Sequence, residues 1–148
     1  MMMEIALDTD KKIQLFTSYF GRMKKIKSVD PDMVFISICG KAPTWFTGPQ
    51  FKILAPRWVW WREWHDKFQD DLDGAESVAW YSQKYAKTVL SKLDPKRVSS
   101  ELEDIITENG GSRGCLLCFE TPEKFCHRHL AARWLSGSGI PCSEWTND

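Results

Sequence analysis

One stretch, Gly114 to Trp134 (GCLLCFETPEKFCHRHLAARW), constrains the fold more than any other part of the chain. It begins as a strand: Cys115, Leu116, Leu117, Cys118 and Phe119 form a short apolar run preceded by Gly110, Gly111 and Gly114. It ends as a helix, with Leu130, Ala131, Trp134 and Leu135 recurring at helical spacing before Gly137. Glu120 to Lys124 make the turn, and Cys126, His127, Arg128 and His129 follow it. A strand that feeds directly into a helix belongs to an α/β sheet, and such sheets bind ligands outside the carboxyl ends of their strands. Two of the three histidines and three of the five cysteines of the chain lie in this stretch, so it also marks a site.

The remaining elements fit around it. Residues 1–10 read as frayed or extended. Lys12 to Phe20 alternates Ile13, Leu15 and Thr17 against Gln14, Phe16 and Ser18 and reads as a first strand, followed by a basic loop, GRMKKIKS. Met33 to Cys39 is a second, almost continuous apolar strand, the pattern of a buried central position. The segment KAPTWFTGPQFKILAP is a long loop too aromatic for disorder. Pro56 suits the first turn of a helix running to about Phe68, with Val59, Trp60 and Trp64 as its buried face. After the acidic turn Asp70 to Gly74, Ala75 to Leu93 is an amphipathic helix. Asp94-Pro95 caps the next one, with Val98, Leu102, Ile105 and Ile106 inward, and Asn109, Gly110 and Gly111 stop it. A short strand, Ile140 to Trp145, closes a βαβ unit. The expected architecture is a single α/β domain over residues 1–148, three-layered, with a mainly parallel sheet of about four strands and helices on both faces.

Composition narrows the function classes. The chain has 148 residues, which suits one core. Twenty Lys and Arg balance 20 Asp and Glu, so there is no strong signal for nucleic acid and no field calling for an anionic membrane. Apolar runs are far below the ~18 residues of a transmembrane span. No leader sequence is visible at the N-terminus. An odd number of cysteines in no scaffold-like spacing fits free thiols in a reducing cytoplasm. Nothing in the sequence fixes an oligomeric state.

Candidate chemistry centres on the turn after the third strand. Cys115-x-x-Cys118 followed by Cys126-His127 suggests zinc, but residues three apart on a strand point to opposite faces, so Cys115 reads as a small buried hydrophobe and no four-ligand structural zinc is expected. Cys126, His127 and Glu120 are the candidate reactive groups. A cysteine at a helix start feels the positive end of the helix, which favours thiolate. Arg128 and the helix N-terminus are the candidate anion holders, against a structural alternative in which Arg128 pairs with Glu120 or Glu123. Cys118, Lys41 and the strand-end residues Thr17, Ser18 and Tyr19 complete the expected ligand contacts. The aromatic cluster around Trp45, Phe46 and Trp58 to Trp64 is suited to wall a pocket for a planar ligand, although core packing accounts for most of those rings.

These residues carry a family resemblance. Residues 116–135, LLCFETPEKFCHRHLAARWL, resemble the signature of the domain-of-unknown-function 488 family, a strand ending Leu-Leu-Cys-x-Glu and a Cys-His-Arg triplet opening a helix. Here these are Leu116, Leu117, Cys118, Glu120, Cys126, His127 and Arg128. Thr17-Ser18-Tyr19-Phe20, Ile36-Ser37-Ile38, Pro43 and Trp45-Phe46 are similar to a branch of that family. The resemblance implies a small cytoplasmic α/β domain of prokaryotes and their phages, and supplies no reaction. Three functions follow as expectations: an enzyme for a small anionic or nucleotide-like substrate, a non-catalytic module binding such a ligand, or a metal-binding protein using Cys118, Cys126 and His127. No cofactor is implied by the first two.

Overall fold

The computed structural model describes residues 13–147. The N-terminal segment expected to be extended lies outside them. Four strands, β1 (Gln14–Tyr19), β2 (Met33–Ser37), β3 (Arg113–Cys118) and β4 (Cys142–Glu144), form one parallel sheet in the order β2-β3-β1-β4. Among the described residues five α-helices accompany it: α1 (Met23–Val29), α2 (Trp58–Lys67), α3 (Ala75–Thr88), α4 (Pro95–Glu108) and α5 (His127–Gly137). This is the expected single three-layer α/β domain.

Alternation along the strands separates two cores. Leu15, Val34, Ile36 and Leu116 pack with Val98, Leu102 and Ile106 of α4, Ala131 and Leu135 of α5, and Trp60, Trp64, Tyr81 and Tyr85 of α2 and α3. On the other face Met33, Cys115 and Leu117 meet Ile26 of α1, Phe20 and Trp145. Cys115 is therefore a buried hydrophobe beneath α1, as its place on the strand dictates. The connection from β1 to β2 crosses the sheet in one direction through α1. Those from β2 to β3 and from β3 to β4 cross in the opposite direction through helices on the opposite face. Opposite directions on opposite faces give all three crossovers one hand. The loops leaving the adjacent ends of β1 and β3 turn to different faces.

Three expectations change. The basic segment after β1 is helix α1, not a loop: Ile26 is fully buried while Lys24, Lys25 and Lys27 face solvent. β2 is an edge strand, not a central one. Its apolar run reflects two covered faces, and its open edge is occupied by the following loop, where the Ser37 N–H donates to Pro49 O (3.0 Å) and the Phe51 N–H to Ser37 O (2.7 Å). The helix from Ala75 ends at Thr88 and passes into a 3₁₀ turn, Leu90–Lys92. The Asp94 side chain does cap α4, with Pro95 in its first turn, and Gly110 takes the positive φ (75°) that ends it.

Candidate functional site

The carboxyl ends of β2 and β3 open into a cleft of about 890 Å³ between the sheet and α2. Cys39, Gly40 and Lys41 come from the end of β2, and Cys118, Phe119 and Glu120 from the end of β3. Trp58, Trp61 and Trp64 form the opposite wall, and Cys126 and His127 the floor where α5 begins. One turn of helix phase decides the tryptophans. Trp60 and Trp64 are buried and donate their indole N–H groups to Thr88 Oγ1 and Ser77 Oγ, both at 2.8 Å, which docks α2 on α3. Trp58 and Trp61 stack on each other, 5.5 Å apart and 15° from parallel, and leave ring surface to the cleft. Val59, expected in the buried face of α2, is 82% exposed. It precedes Trp60 by one position, about 100° around the helix.

The turn from β3 to α5 is held by Asp73, whose Oδ1 accepts from the Phe125 N–H at 2.8 Å. The Phe125 ring meets the edge of Tyr81 at 4.8 Å. The acidic turn before α3 thus clamps this loop. It delivers Cys126, extended at φ −154°, to the N-cap of α5, so that the Cys126 sulfur meets that of Cys118 closely enough for a disulfide. Cys39, Cys115 and Cys142 are free and buried.

His127 is buried on the cleft floor. Its Nε2 lies 2.8 Å from Ile38 O. A carbonyl only accepts, so Nε2 carries the proton and Nδ1 presents a lone pair. Nδ1 lies 3.7 Å from Cys126 Sγ. Burial, with the Arg128 charge adding to it, lowers the His127 pKa to about 4 and keeps the ring neutral. The Sγ atoms of Cys118 and Cys126 and a ring nitrogen of His127 all lie within 4.8 Å of one another. Burial pushes the neighbouring Cys39 thiol up to about 12, so it is not a nucleophile at neutral pH.

Arg128 corrects an expectation. It is fully buried and its guanidinium is already occupied. Nε donates to Glu144 Oε1 (3.0 Å) and Nη2 to Glu144 Oε2 (2.9 Å), a bidentate pair. Nη1 donates to Glu120 O (2.6 Å) and to Cys118 Sγ (3.1 Å). Thr17 Oγ1 completes the knot by donating to Glu144 Oε1 at 2.7 Å. Arg128 is buried outside the cleft lining, and its donors are held by Glu144, Glu120 and Cys118, so it is not placed as the holder of an incoming anion. The salt-bridge alternative is nearer the structure, but the partner carboxylate is Glu144, not Glu120 or Glu123. Thr17 and Tyr19 lie behind the cleft, the Tyr19 ring centre 6.0 Å from the Arg128 guanidinium. Ser18 points to the α1 face, where its hydroxyl is buried without a partner. The strand-end hydroxyls are therefore not contacts of the cleft.

The candidates that do converge on the cleft are Cys118, Glu120, Cys126, His127 and Lys41, and Lys124 joins them at its rim. Glu144 was missed. Its signal is faint: β4 has three residues, and only the parallel register Thr17↔Glu144 places the carboxylate beside Arg128. The chain matches no protein-family model, no curated protein and no solved structure. Among the described residues no helix is long and apolar enough to cross a membrane.

Proposed function

We propose that the protein is an enzyme acting on a small, planar, anionic molecule of nucleotide-like chemistry, held in the cleft at the ends of β2 and β3. The observation that carries this reading is the cleft itself: stacked indoles face a floor of Cys118, Cys126 and His127. Its volume lies within the ~300–1,000 Å³ of small-molecule sites. A planar ring inserted against Trp61 gains stacking worth about 1–3 kcal/mol. Lys41 and Lys124 supply positive charge at the mouth, the role that Arg128 does not fill. Glu120, exposed at the rim, is the candidate proton carrier, and the cysteine–histidine floor the reacting centre. The family resemblance of the chain supports the same location, because Cys118, Glu120, Cys126 and His127 of that signature all border the cleft. We extend the proposal to membership of that family.

The test is a tryptophan-fluorescence and calorimetric titration with adenosine monophosphate, adenosine and ribose 5-phosphate. The expected order has the monophosphate tightest, with Trp61→Ala and the Lys41→Ala/Lys124→Ala pair each losing about tenfold or more. No binding of any of the three at millimolar concentration, with the fold intact by circular dichroism, rejects the nucleotide-like ligand.

A further inference from the structure

Two sulfurs and one imidazole nitrogen meeting on the floor of the cleft have three chemical states open to them: a disulfide with a spectator histidine, a pair of thiols, or a metal centre. The histidine discriminates among them. A disulfide has no use for a third donor, yet His127 is oriented as one. Its Nε2–H is fixed on Ile38 O at 2.8 Å, which is the arrangement that sets a metal-ligating imidazole, with the remaining nitrogen bare. That nitrogen is Nδ1, turned toward Cys126 Sγ at 3.7 Å. The backbone spacing points the same way. Cys118 and Cys126 have Cα atoms 7.5 Å apart, wider than disulfide-linked residues usually stand. Two thiolates on one zinc ion stand ~3.8 Å apart for Zn–S bonds of about 2.3 Å in tetrahedral geometry.

The surroundings suit thiolate. Arg128 Nη1 donates to Cys118 Sγ at 3.1 Å, a charge-assisted hydrogen bond of the kind that supports an anionic sulfur ligand. Arg128 is balanced by Glu144, so two thiolates and a divalent cation add no net charge to this buried region. All three donors border the cleft, and no fourth histidine, cysteine, aspartate or glutamate joins the cluster among the described residues. Three protein ligands with the last position open is the pattern of catalytic rather than structural zinc sites.

We infer that Cys118, Cys126 and His127 bind one divalent ion of the zinc class through two thiolates and Nδ1, with the remaining coordination position open to the cleft. The inference rests on the cleft being the reacting site, but not on the identity of its ligand. Arg128 is a positioning residue for the Cys118 thiolate.

The full-length chain is purified under reducing conditions without chelator, and zinc and then cobalt are titrated into it. We expect about one ion per chain, with sulfur-to-cobalt charge-transfer bands and a tetrahedral visible spectrum. Cys126→Ser and His127→Gln should each weaken zinc binding by more than about tenfold, and Arg128→Lys by about tenfold, the loss typical of supporting residues. Cys115→Ser, on the opposite face of the sheet, should bind as the unaltered chain does. Should the substituted chains fail to fold, the cobalt spectrum of the unaltered protein still decides. A reduced, folded chain that takes up no ion, or a cobalt complex without sulfur charge-transfer bands, overturns the site. Metal uptake without nucleotide binding rejects the proposed ligand alone, and nucleotide binding without metal uptake rejects the metal alone.

Discussion

Arg128 and His127 are neighbours in sequence and opposites in use. Arg128 points inward beneath β1 and β4, is fully buried, and spends its guanidinium on Glu144, Cys118 and Glu120. His127 points to the cleft floor, has one nitrogen fixed on Ile38 O and keeps the other bare. The first is a closed polar knot that ties α5 to the last strand. The second is an open centre whose unused lone pair has chemistry available. Successive residues at a helix start project about 100° apart, so a Cys-His-Arg triplet serves both regions at once. A charged residue in a signature is therefore not by that fact a ligand contact; what its donors already hold decides.

The contrast is broken most directly by removing the knot. Arg128→Ala leaves the partly buried Glu144 carboxylate without its guanidinium, held only by the Thr17 hydroxyl. Breaking a buried ion pair costs about 3–5 kcal/mol. The lower end, about 3 kcal/mol, is expected here because the Glu144 side chain remains 23% exposed. Urea unfolding reads the change, and an Arg128→Met/Glu144→Leu chain should recover most of it, because no charge is left unpaired. A loss below ~0.5 kcal/mol would mark Arg128 as a surface-like residue and dissolve the distinction. Thr17→Val tests the periphery of the same knot. It removes one hydrogen bond to Glu144 Oε1 while Arg128 still holds the carboxylate, and should cost about 1 kcal/mol by the same assay.

How far the sequence foretold this contrast differs from element to element. Leu116 and Leu117 mark β3, and the turn into α5 follows from their run and the helical period beyond Pro122. Asp94-Pro95 and Gly110 mark the ends of α4 by capping chemistry that is wholly local. Helix α1 was not legible, because it has only seven residues, and Met23, Ile26 and Val29 span less than two turns among lysines, too short a run to fix a period. The edge position of β2 was not legible either: a strand covered on both faces reads alike at the edge and at the centre. The cleft residues Cys118, Cys126 and His127 were named from sequence because they are close along the chain. Glu144 was not, because its pairing with Arg128 depends on the register of β4 against β1. The direction in which Arg128 points is set by that same long-range pairing, and so its partner could not be read from the sequence.

On the open side, side-chain removal should matter little to stability. Lys41 is exposed at the cleft mouth, so Lys41→Ala should shift unfolding by less than ~0.5 kcal/mol while weakening the monophosphate. A stability loss comparable to that of Thr17→Val would make the mouth part of the scaffold. The smallest effect expected is at Cys39. It borders the cleft, but burial pushes its thiol up to about 12, so iodoacetamide at neutral pH should leave it unmodified in the folded protein, as mass spectrometry would show, and should modify it in urea. Rapid labelling of Cys39 in the native state would mean that the cleft wall opens further than its packing implies.

The tautomer of His127 tests the central claim most directly. Nitrogen NMR of the uniformly labelled, reduced and metal-free protein at neutral pH distinguishes a protonated from a bare ring nitrogen. The account predicts a neutral His127 with its proton on Nε2, held to Ile38 O, and a bare Nδ1 facing Cys126. A His127 with its proton on Nδ1, or one carrying both protons as a cation, would contradict it.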